Sequence, residues 1–135
     1  MAEKLHFELV SPERLLMSSD VDMVVVPGVE GDFGVLIDHA PAVSTLRAGI
    51  LEVHNGDEPQ RLLVRGGFAE VNPEGLTVLA EEATPLGEVD RAALEAQLKD
   101  ANEDVADAKD DAQRAEAEKA RDRLVELLGV LDLAA

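Results

Sequence analysis

The chain has 135 residues, a formal net charge of -17, 46% apolar and only 2% aromatic residues, and no cysteine. That length suits one small domain, or one with an appendage, and the missing cysteine rules out a disulfide framework and thiolate chemistry. The charge argues against gripping a phosphate backbone, which needs clustered Lys and Arg, and against an anionic membrane surface.

The first thirty residues hold no basic stretch followed by an apolar run, so neither a secretory signal nor a transit peptide is expected. The apolar runs are a few residues long, too short to span a bilayer. A soluble protein, folded where it is made, is the expectation.

In chain order, Leu5, Phe7 and Leu9 alternate with His6, Glu8 and Val10, which reads as a half-buried strand. Ser11-Pro12-Glu13 makes a turn. Further β-type runs are Arg14 to Ser18, Val21 to Val26, Phe33 to Ile37, Ala42 to Leu46, Gly49 to His54, Arg61 to Arg65, Phe68 to Val71 and Leu76 to Ala80. Between them lie Pro27-Gly28, His39-Ala40-Pro41, Asn55-Gly56-Asp57 and Asn72-Pro73-Glu74-Gly75. Roughly nine or ten short strands at this spacing predict a sandwich or barrel. Asn55-Gly56 is the strongest hairpin signal among them.

The material changes near residue 87. Residues 1–87 hold all six prolines and all three phenylalanines, and the only glycine after them is Gly129. Such a shift marks a boundary, giving a domain at 1–87 and a tail at 88–135. In the tail Leu94, Leu98, Ala101, Val105, Ala108 and Ala112 form one helical seam, with Asp90 as N-cap. The seam then loses phase, and Ala117, Ala120, Leu124, Leu127 and Leu131 form another. Two seams predict a helical hairpin turning between Asp107 and Asp111. No Gly or Pro interrupts Glu88 to Leu128, so the local code also admits one long helix covered by a partner.

Residues suited to catalysis are sparse. His6, His39 and His54 form no ligand pair, and no structural zinc site is expected without cysteine. The serines lack a Gly-x-Ser-x-Gly setting, and no phosphate-binding Gly-x-x-x-x-Gly-Lys loop occurs. Gly28 to Gly34 is glycine-rich without a lysine, so it reads as a tight turn with glycine at positive φ. Glu30 and Asp32 are too few to hold calcium. Gly66-Gly67 inside a strand pattern reads as a bulge or a close backbone contact. No catalytic residue, metal or cofactor is expected.

Several turns together carry a resemblance. Phe7 to Glu13, then Val26-Pro27-Gly28-Val29-Glu30-Gly31-Asp32-Phe33-Gly34-Val35-Leu36, His39-Ala40-Pro41, Gly49-Ile50-Leu51, Gly66-Gly67-Phe68-Ala69-Glu70-Val71 and Val78 to Glu81 follow in the order and spacing of the epsilon subunit of F-type ATP synthases. The chain resembles that family over most of residues 5–86; the tail matches it in length, Ala content and period. The resemblance implies a β-sandwich of about ten strands followed by an α-helical hairpin. It implies a non-catalytic rotor part of the central stalk, held by the gamma subunit and the c-ring and coupling proton flow to ATP synthesis. The place it implies is peripheral, on the cytoplasmic face of the bacterial inner membrane. Family correspondence puts Glu30, Gly31, Asp32 and His39 beside the c-ring loops.

The tail departs from family expectation. Some members use it to reach the alpha and beta subunits and inhibit hydrolysis, through basic residues of the second helix. Here residues from Gln113 onward carry four bases against five acids, and residues 88–112 carry three against nine. Repulsion from an acidic segment predicts little inhibition. Other members bind ATP through Ile/Leu-Asp-x-x-Arg-Ala. This sequence has Val89-Asp90-Arg91-Ala92-Ala93-Leu94, so Asp90 and Arg91 form a degenerate version and no ATP site is expected. A stand-alone nucleotide sensor and an acidic adaptor of another complex are the alternative readings.

Overall fold

The computed structural model describes residues 3–134. The chain separates into two compact units, Met1–Glu88 and Val89–Ala135.

In the first unit the strands are β1 (Leu5–Val10), β2 (Leu15–Val21), β3 (Met23–Gly28), β4 (Gly31–Val35), β5 (Ala42–Thr45), β6 (Gly49–His54), β7 (Gln60–Asn72) and β8 (Gly75–Pro85), closed by a 3₁₀ turn at Leu86–Glu88. Their hydrogen-bonded order is β2-β1-β8-β7-β6-β3-β4, with β5 also pairing β7. Every pairing is antiparallel except β1 with β8. The alternation seen in the sequence is the alternation of burial. Leu5, Phe7 and Leu9 point inward at 4% exposure or less, while His6 and Glu8 face out. Phe7, Leu9, Val24, Val26, Val35, Leu51, Val64 and Val78 are all fully buried, so the core is mostly aliphatic, with one phenylalanine at its centre. Each such side chain contributes about 1.5–3 kcal/mol relative to exposure.

The expected nine or ten strands are eight. The runs Arg61 to Arg65 and Phe68 to Val71 are parts of one strand, β7, which continues through Gly66-Gly67. Both glycines have positive φ, 73° and 103°. The β7–β8 register is the same on either side, Arg65 facing Glu82 and Gly67 facing Ala80, so no residue is inserted and the pair is a close contact in place of a bulge. The inward phase nevertheless changes: Leu62 and Val64 fill the core before the glycines, Ala69 and Val71 after them. β8 switches at the same level, from Leu76, Val78 and Ala80 to Ala83. Each long strand therefore serves both layers of the sandwich. Counted by halves, β2-β1-β8-β7-β5 make one layer and β8-β7-β6-β3-β4 the other.

The second unit is a pair of helices, α1 (Arg91–Asp107) and α2 (Asp111–Ala134). Asp90 caps α1, accepting from the Ala93 N–H at 3.1 Å. The turn uses neither Gly nor Pro. Ala108 is extended (φ -60°, ψ 134°), and Asp110 caps α2 by accepting from the Gln113 N–H at 2.7 Å. Gln113 in turn accepts from the Lys109 N–H at 3.0 Å. This is a variant of the reciprocal capping box, and it terminates one helix and starts the next. Ala101 of α1 and Leu124, Leu127 and Leu128 of α2 are the buried residues of the two helices.

Candidate functional site

Val29 and Glu30 form the two-residue loop of the β3–β4 hairpin, closed by the Gly28–Gly31 pair. Gly31 sits at φ 134° with open space around it, so it is glycine for backbone conformation and not for room. Asp32 is the next residue along β4, and its carboxylate forms an ion pair with Arg47. Arg47 lies between β5 and β6, where its own N–H donates to the Pro27 carbonyl at 3.0 Å. The hairpin base is thus clamped by a cation that no local sequence pattern announced. Among the described residues, Glu30 has no such ion pair, so it presents the free carboxylate of this loop.

His39 lies in the β4–β5 connection, half-buried, with Nδ1 2.7 Å from the Ala40 carbonyl and its ring 6.4 Å from that of Phe33. Asp38, just before it, has φ 67°, the one non-glycine residue with positive φ among those described. His39 borders a hollow of about 240 Å³ together with Lys4, His6, Leu36, Asp38 and Glu74. Glu30, Gly31 and Asp32 therefore share one hairpin, and His39 joins the same strand from its far end through Phe33.

His6 is also more engaged than its surface position suggested. Its Nδ1 is 3.0 Å from Asp20 and its Nε2 3.3 Å from Glu8. The hydrogen bond with Asp20, then that with Glu8, raises its pKa above the ordinary histidine value.

Sequence reading missed an apolar row on the outer face of the β1-containing layer. Thr45 pairs with Phe68, Phe68 with Leu79, Leu79 with Val10 and Val10 with Leu15, across five strands. Phe68 is 42% exposed, Leu15 55% and Val43 (two residues from Thr45) 70%. The outward positions of β5 and β7 in the alternation were the available signal.

In the helical unit, Asp90 is occupied by its capping role. Arg91 donates to Glu95 at 3.1 Å and pairs with Asp132 of α2. Both members of the degenerate nucleotide motif are committed to holding the hairpin. No cluster of three His, Asp or Glu suited to a metal ion occurs among the described residues, and no helix is long and apolar enough to cross a membrane.

Residues 4–86 match the family described as ATP synthase, Delta/Epsilon chain, beta-sandwich domain, and residues 90–131 match the C-terminal domain of the ATP synthase epsilon chain. The protein is 59% identical over 128 residues to the ATP synthase epsilon chain of Parvibaculum lavamentivorans, a match spanning 94% of its own length and 97% of the relative's. It is 56% identical to the epsilon chain of Paramagnetospirillum magneticum, over 87% of its own length and 89% of the relative's. A subunit in the mitochondrial ATP synthase of Euglena gracilis, solved with its OSCP, F1 and c-ring, aligns over 99% of this protein and 82% of its own length, with a TM-score of 0.75 and 30% identity. With both of its units matched in order and nearly its whole length aligned, the protein belongs to the ATP synthase epsilon chain family.

Proposed function

We propose that the protein is a non-catalytic part of the central stalk of a proton-translocating ATP synthase, held between the gamma subunit and the c-ring. The observation that carries this is the match of both units, end to end, to epsilon chains and to a subunit solved in such an assembly. The physics fits the task. A part that transmits torque must not yield, and a close-packed sandwich whose two layers share the strands β7 and β8 resists shear between them. Co-purification from membranes tests the reading: gamma and c subunits must come down with this protein, and an isolated monomer with neither would overturn it.

Two surfaces divide the work. The outer apolar row of Phe68, Val43 and Leu15 suits a large protein partner, which we assign to gamma, because exposed apolar patches rimmed by polar residues favour protein contact. The β3–β4 hairpin and the His39 loop are polar and suit the loops of the c-ring. Of the hairpin acids, Glu30 is available for a partner cation, whereas Asp32 already serves Arg47. Exposed pairs contribute only ~0.2–1 kcal/mol each. Changing Glu30, Asp32 and His39 together to Ala is therefore expected to lower proton-driven ATP synthesis by several-fold at most, with Glu30→Ala alone giving most of the loss. Unchanged coupling and retention in the triple variant would remove these residues from the contact.

The helical unit is assigned a minor regulatory part. The acids that dominate residues 88–112 oppose approach to an acidic segment of the catalytic head. Deleting residues 88–135 is expected to leave ATP hydrolysis nearly unchanged. A several-fold rise in hydrolysis on deletion would show that the tail inhibits. The place of action is the face of the coupling membrane that carries the catalytic head, in a bacterium the cytoplasmic one.

A further inference from the structure

The Asn55-Gly56 pair stands out chemically. An asparagine is lost spontaneously when the nitrogen of the next residue attacks its side-chain carbonyl carbon, and a following glycine offers the least steric hindrance to that attack. The sequence has three asparagines. Asn72 precedes Pro73, whose nitrogen carries no proton to lose. Asn102 precedes Glu103 inside α1, where the backbone is held by helical hydrogen bonds. Asn55 alone is both exposed and followed by glycine, in the loop between β6 and β7.

That loop is held at three points. The Gly56 N–H, the attacking group, donates to Asp22 Oδ2 at 3.0 Å. The Asn55 side-chain oxygen accepts from Lys4 Nζ at 2.6 Å. Lys4 and Asp22 are themselves paired at 2.9 Å, and the Asp22 N–H fixes the corner by donating to the His54 carbonyl at 2.8 Å. Lys4 first, then the Gly56 N–H, keep the Asp22 carboxyl below its ordinary pKa. A carboxylate on the N–H opposes formation of the amide anion that must attack, and the lysine keeps the side chain from swinging onto the backbone.

We propose that Asn55 is a site of spontaneous deamidation whose rate the Lys4–Asp22 pair restrains, so that modification marks molecules in which this corner has opened. In the reaction the Gly56 nitrogen loses its proton to solvent base and bonds to the Asn55 Cγ. The Cγ–Nδ2 bond breaks, and Nδ2 leaves as ammonia with a returned proton. Water then opens the cyclic imide at either carbonyl, giving aspartate or isoaspartate, with no change of oxidation state. The product adds a carboxylate to a loop that already carries Asp57 and Glu58. The isoaspartate form also lengthens the backbone between β6 and β7.

The full-length protein is incubated at neutral pH, folded and guanidinium-unfolded, and its peptides are followed by mass spectrometry. Deamidation is expected at Asn55 only, slower in the folded protein by on the order of tenfold, the weight of one charge-assisted hydrogen bond. Asp22→Ala, folded, is expected to recover most of that factor. Should circular dichroism show that Asp22→Ala does not fold, Lys4→Met decides on the same criterion, with a rise of a few-fold expected. Equal rates in the folded and unfolded wild-type protein, an unchanged rate in the folded variant, or first modification at Asn102 would each overturn the proposal.

Discussion

Gly67→Ala is expected to destabilise the sandwich by about 4 kcal/mol or more, which a urea or thermal melt would register as a large fall in the unfolding midpoint. Two costs coincide at this position. The backbone stands at φ 103°, a conformation that a residue with a Cβ adopts only under strain. The added Cβ would also lie 1.8 Å from the Leu79 carbonyl oxygen and 3.2 Å from the Ala80 Cα. Both are backbone atoms of the neighbouring strand, so neither can turn aside without breaking the β7–β8 ladder where it passes from one layer to the other. A small domain has only about 5–15 kcal/mol in hand, so the loss is a large fraction of the total. Two other glycines calibrate the result. Gly66→Ala meets the flexible end of Glu81 at 2.6 Å, and Gly31→Ala meets nothing within 4 Å. Each is expected to cost about 1–3 kcal/mol, chiefly from backbone strain, since the Glu81 side chain can move aside. A melt of Gly67→Ala no worse than that of Gly31→Ala would mean that β7 does not cross as described.

The same glycines show where sequence reading lost the thread. Period-two alternation identified the β1 core residues Leu5, Phe7 and Leu9 correctly, because one face of that strand is buried throughout. It broke β7 into two runs because alternation reports which face is inward, and the inward face changes at Gly66-Gly67 while the hydrogen bonding does not end. A strand that ends and a strand that changes layers look alike in one dimension. The helix turn was legible from the phase slip between two seams, but its physical cause lay in Asp110 and Gln113, a capping signal that the search for Gly or Pro passed over. Of the site, the hairpin and the His39 loop were reached through family resemblance and not from the residues' own chemistry. Contacts such as Asp32–Arg47, 15 residues apart, and Lys4–Asn55, 51 apart, depend on topology and leave no local pattern.

Phe68→Asp, one residue from Gly67, is expected to cost the fold only about 1 kcal/mol, from its cross-strand pair with Leu79 and the poor strand preference of Asp, yet to weaken retention in the complex by on the order of thirtyfold. The side chain faces away from the core that Ala69 and Val71 fill, so folding asks little of it. It stands in the apolar row with Thr45 on one side and Leu79 on the other, and an aspartate there would place a charge that a partner must desolvate without compensation. Aromatic anchors at the middle of an interface commonly carry about 2 kcal/mol or more each. Stripping the protein from membranes and titrating wild type or variant back measures the difference directly. Adjacent residues would then separate the two demands on this strand, Gly67 answering to the fold and Phe68 to the partner. A Phe68→Asp variant that folds and rebinds with wild-type affinity would move the proposed gamma contact to another face, and the polar hairpin around Glu30 would have to supply far more of the hold than exposed ion pairs deliver.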